Sequence, residues 1–160
     1  MDLDRRHQLR LGLLSCSVAL LGGLLLCAPA ARATLGSSAA SIAADRDQLR
    51  ASVRVTSHAL YEVHELMLPN GVSVREYRVP DGIVFAIAWS GPAKPDLSQA
   101  LGAYFPGYVE AAKANTDGHN HMSARRADLV MTSTGRMRDF AGHAYLASAV
   151  PAGVSIDELR

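Results

Sequence analysis

Three groups of side chains in this chain have types and spacings that could do chemistry. Glu62 and His64 stand two residues apart, so on an extended strand they share one face. Glu76 lies on the following run, where a hairpin brings it across from them. An imidazole beside a carboxylate is the minimal general acid–base pair of a small hydrolase or lyase. His119 and His121, with Asp117 nearby, offer two imidazoles and a carboxylate to Zn²⁺ or Cu²⁺. Fixed metal sites need three or four ligands, so this set reads at most as a weak metal carrier. Trp89, Tyr104 and Tyr108 could line a ligand groove between a helix and a sheet. Each group has a plainer counterpart: a ladder of Glu–Arg ion pairs on a solvated sheet face, a polar surface loop, and an aromatic core.

Other chemistries find no foothold. There is no Gly-x-Ser-x-Gly elbow, no Ser-x-x-Lys, no Walker loop and no Gly-x-Gly-x-x-Gly, so no nucleophile motif and no cofactor is expected. Both cysteines, Cys16 and Cys27, lie near the N-terminus, which leaves residues 34–160 without thiol or disulfide. The formal net charge is +1; residues 1–33 hold four arginines against two aspartates, leaving about −1 for the remainder. No basic surface that could neutralise phosphates is left, which argues against nucleic acid.

The elements that must position these residues centre on Leu60–Trp89. Two turns of one chemistry, Pro69-Asn70-Gly71 and Pro80-Asp81-Gly82, separate three apolar-patterned runs and predict an antiparallel meander. The third run, Ile83–Trp89, carries no charge and should be the central strand. Strict alternation would place Ile83, Phe85, Ile87 and Trp89 on one face and Val84, Ala86 and Ala88 on the other. Residues 51–56 suggest a preceding strand. Asp128–Ser133 and Met137–Ala147 suggest two later ones about a turn at Thr134-Gly135-Arg136, and residues 115–124 read as an exposed loop. In the last of these strands Ala144 and Leu146 take the core face and His143 the other.

After the loop at Pro92–Pro95, Asp96 is a good N-cap with Gln99 three residues on. Leu97, Leu101, Tyr104, Phe105, Tyr108 and Ala112 then recur at helical spacing. Pro106 should kink this helix near Phe105, or divide it there into two abutting helices. The expected fold is α+β: an antiparallel sheet of five or six strands with a central meander, packed on one face by the proline-kinked helix over Asp96–Ala114.

The first 33 residues have the layout of a secretory signal peptide: Arg5, Arg6 and Arg10, an apolar run from Leu11, and Ala31-Arg32-Ala33 before the expected cleavage at Thr34. The alternative is an uncleaved anchor, since Leu11–Ala31 is 21 residues and a bilayer core needs about 20. Residues 34–50 read as a lead-in with a short helix capped by Ser41, and 51–160 as one domain.

Several pieces together resemble a family of uncharacterised exported proteins of Gram-negative bacteria, classed only as a domain of unknown function. They include Tyr61-x-Val63-His64-Glu65, Val74-Arg75-Glu76-Tyr77, Val84-Phe85-Ala86-x-Ala88-Trp89-x-Gly91-Pro92, Leu101-Gly102-x-Tyr104-Phe105 and Phe140-Ala141-Gly142-x-Ala144-Tyr145-Leu146. The resemblance implies export and brings no catalytic residue or cofactor. The expected role is therefore a periplasmic, non-enzymatic module that binds an envelope protein or a small ligand and meets the membrane only through its leader.

Overall fold

Seven strands form one antiparallel sheet in the computed structural model, which describes residues 35–37, 46, 50–80, 82–116, 118 and 120–159. They are β1 (Ser52–Ser57), β2 (Glu62–Met67), β3 (Ser73–Arg78), β4 (Val84–Gly91), β5 (His121–Arg126), β6 (Leu129–Arg136) and β7 (Asp139–Leu146). Their order across the sheet is β1-β2-β3-β4-β7-β6-β5. The meander stands where the turn chemistry put it. In the first turn the Leu68 N–H donates to the Val72 carbonyl at 2.8 Å, and the Asn70 side chain accepts from the Val72 N–H at 3.1 Å.

The strand count exceeds the expected five or six, and β5 is the strand that sequence reading took for a loop. Its apolar content is only Met122 and Ala124 on alternate positions, because it is an edge strand with one face wet. The β6–β7 turn also differs. It is the two-residue Met137-Arg138, with Arg138 at φ +61°, and Thr134-Gly135-Arg136 continues β6. The short helix expected over Ser41–Arg50 and the leader expected over residues 1–33 lie outside the described residues, apart from Arg46 and Arg50.

The covering helix is broken earlier than Pro106. Asp96 accepts from the N–H groups of Ser98 (2.9 Å) and Gln99 (3.2 Å) and starts α1 (Leu97–Leu101). Gly102, at φ +48°, ends it. A 3₁₀ turn over Gly102–Tyr104 leads into α2 (Phe105–Ala114), in which Pro106 occupies the first turn, where its missing N–H costs nothing. The glycine, not the proline, makes the bend.

Both sheet faces carry a core. On the helix side Leu66, Val74, Ile87, Trp89, Met131, Ala144 and Leu146 pack beneath Leu97, Leu101 and Ala111. Leu35 joins them, and residues 35–37 pair with the start of β4: Gly36 N–H donates to Val84 O, and Val84 N–H donates to Ser37 O. On the other side Tyr61, Tyr77, Phe85, Ala86 and Ala88 pack under a C-terminal hook whose 3₁₀ turn, Ile156–Leu159, inserts Leu159.

Strict alternation along β4 fails at one residue. Tyr77 pairs with Ala86 and Arg78 with Val84, so Phe85 is the extra residue of a β-bulge. It leaves the face of Ile87 and Trp89, where alternation placed it, and joins Ala86 and Ala88. There its ring meets Tyr61 edge-on at 6.1 Å and Tyr77 at 6.3 Å.

Candidate functional site

The register of β2 and β3 brings the expected carboxylates and imidazole together. His64 pairs directly with Glu76, and Glu62 with Arg78. Counted across the sheet, these four residues share the face of Ile87 and Val84; the expected cross-strand Glu–Arg ion pair forms there between Glu62 and Arg78, with Glu62 partly exposed, but the face is not solvated at Glu76. Glu76 is only 4% exposed. Arg78 holds the Glu62 carboxylate in an ion pair, while His64 Nε2, itself buried, stands 3.5 Å from Glu62 without hydrogen-bond geometry. The hydrogen bond from Arg78 lowers the Glu62 pKa, with His64 adding in the same direction. A carboxylate so held is a weak proton acceptor near neutrality. The four residues make a partly buried charge cluster and line none of the three hollows described below.

Among the described residues no group of three His, Cys, Asp or Glu could hold a metal ion. His121 is the exposed first residue of β5, and its carbonyl accepts from Asn115 Nδ2 at 2.8 Å. Asp117 and His119 lie outside the described residues.

The proposed aromatic groove is dispersed. Trp89 is a core residue whose indole lies flat across Gly142; a Cβ at 142 would sit 2.3 Å from Trp89 Cζ2 and 2.6 Å from the Thr132 carbonyl. Only glycine fits between them. Tyr104 packs beside Gly36, and Tyr108 stacks on Phe105 at 6.0 Å. Tyr108 borders a hollow of about 460 Å³ between the end of α2 and β5–β6, with Lys94, His121 and Ser133. Two buried polar atoms on this side of the sheet, Trp89 Nε1 and Ser133 Oγ, have no hydrogen-bond partner.

The largest of the three hollows lies on the opposite face, about 530 Å³, bordered by Ile156 at the edge of the C-terminal hook. Arg75 forms one wall, Ser90 and Ala141 the floor, Thr132 and Thr134 the far side, and His143 with Tyr145 a shelf beside Ile156. Register fixes this set: Arg75 and His143 both pair with Ala88, Thr132 pairs with His143, and Ser90 with Ala141 and Ala141 with Thr134. The His143 and Tyr145 rings are nearly parallel, 13° apart with centroids at 6.3 Å. Glu65 stands opposite Arg75 in register, yet no ion pair joins them; Glu65 accepts instead from Ser73 Oγ at 3.3 Å. The Arg75 guanidinium forms no ion pair or hydrogen bond with any described residue. None of the residues around the hollow is acidic.

A family profile described as "Protein of unknown function (DUF2844)" matches residues 31–159. The chain belongs to this family. No curated protein and no solved structure matches it. The match takes in every strand and both helices, so the hollow on the open face and the charge cluster on the covered face are both features of the family domain as this chain builds it.

Sequence reading did not assemble the open-face site. It places only His143 away from the core. The pattern Ala141-x-His143-x-Tyr145 puts three side chains on one face of β7. That this face stays open above the hook depends on the strand order, which no local pattern specifies.

Proposed function

We propose that this protein is an exported, non-enzymatic binding module of the bacterial cell envelope, released into the periplasm by cleavage near Ala33, and that it seats a small ligand in the hollow on the open sheet face. The observation that carries the reading is Arg75, a cation that makes no ion pair among the described residues, at the wall of a preformed concavity. Concavities with a few convergent polar groups are the usual seats of small ligands. Binding is favoured over turnover because the carboxylates that sequence paired with an imidazole stand on the other face of the sheet, one of them already held by Arg78.

A thermal-shift panel of saccharides, amino acids and short peptides tests the reading. At least one class should raise the melting temperature of the native protein and leave Ala141→Phe, which fills the hollow, unshifted. Equal shifts in both proteins, or none in either, would remove the open face as the seat.

A further inference from the structure

Resting on that reading, we propose that the ligand of the open-face hollow is a saccharide bearing a carboxylate, such as a uronic acid unit. The charge argument comes first. Arg75 supplies one planar guanidinium with its donors unspent, and a fork of this kind takes a carboxylate by two parallel hydrogen bonds. Arg75 is the one permanently charged residue among those that line the hollow, so a ligand with a single negative charge suits it. A phosphate dianion would require further fixed donors.

The remaining polar groups are hydroxyls: Ser90 on the floor, Thr132 and Thr134 on the far side, of which Thr134 already donates to the Ala141 carbonyl at 3.3 Å and is left to accept. A hydroxyl both donates and accepts, which suits a polyol presenting both functions along its rim. The His143 and Tyr145 rings stack on one another, 13° from parallel with centroids 6.3 Å apart, and an outer ring face of this stack can take the C–H face of a pyranose ring. Arg75 and His143 flank β4 from adjacent strands, about 10 Å apart along the sheet by strand spacing. A sugar ring lying on Ala141 would therefore reach the guanidinium with its carboxylate and the shelf with its apolar face.

Calorimetric titration of the processed protein with trigalacturonate, and with the neutral galactotriose of the same linkage, tests this. Trigalacturonate should bind at least about tenfold more tightly than the neutral sugar, in keeping with loss of a charge-assisted pair. Arg75→Gln should remove that preference while leaving the melting temperature unchanged, and added salt should weaken the acidic sugar alone. Equal affinity for both sugars, or an Arg75→Gln protein that keeps the preference, would overturn the inference. If only neutral sugars bind and Ala141→Phe abolishes their binding, the seat stands and its acidic ligand falls. If no saccharide binds at all, this inference falls, and the panel above decides separately whether the seat survives.

Discussion

The two faces of the sheet are closed by different means. Helices α1 and α2 spread over one face and bury a continuous apolar layer from β2 to β6, at the expense of enclosing the Glu62–His64–Glu76–Arg78 cluster at its margin. The other face is closed only at one end, where the C-terminal hook clamps an aromatic cluster of Tyr61, Tyr77 and Phe85. Tyr61 reaches toward Glu158 of the hook at 3.4 Å, and both burial and that neighbouring carboxylate raise its pKa. What this contrast teaches is a division of labour within one sheet: charge is neutralised on the covered face and left available on the open one. Glu62 and Arg78 pair, whereas Glu65 and Arg75, in register three residues along and so on the other face, do not.

The sharpest way to break the contrast is to empty the smaller core. Phe85→Ala removes the ring that holds the hook and should cost about 3–5 kcal/mol in chemical denaturation. A loss below 1 kcal/mol would show that the hook does not depend on it. Gly142→Ala attacks the covered face, where the added methyl meets the Trp89 ring and the Thr132 carbonyl. Overpacking of this kind costs about 1–3 kcal/mol, and a blue-shifted or broadened Trp89 fluorescence should accompany it. An unchanged protein would mean that the indole has room to move.

The smallest expected effect concerns charge. Because Arg78 holds the Glu62 pKa below its usual value, the ionised carboxylate favours the folded state above the ordinary carboxyl range, and that contribution is lost as pH falls through the lowered value. Melting temperatures followed downward from about pH 6 should therefore fall less steeply for Glu62→Gln than for the native protein. Parallel curves would assign the acid sensitivity to other groups, such as Asp128, whose pKa is lowered by hydrogen bonds from Ser148.

Much of the frame was legible from residue types. The two proline-led turns, the uncharged central run and the Asp96 cap each act through neighbours in sequence, and each stands where local rules placed it. What escaped was decided at longer range. The extra residue at Phe85 answers to the aromatic pocket formed by Tyr61, Tyr77 and the hook, more than twenty residues before and seventy after in part. Strand β5 was hidden because an edge strand needs few apolar residues. The open-face site was hidden because Arg75 looks on paper like half of an ion pair with Glu65, and only the folded geometry shows that the pair does not close.

The irregularity in β4 also sets the phase of everything that follows it. Remove one residue between Val84 and Ala86, and the strand resumes perfect alternation: Ile87 and Trp89 can keep their places, but no large ring then projects toward the hook. Add one after Ala86 instead, and the indole turns outward over the open face while Ala88 is left facing the helices. Length variation in this short stretch thus disturbs one core or the other in both directions.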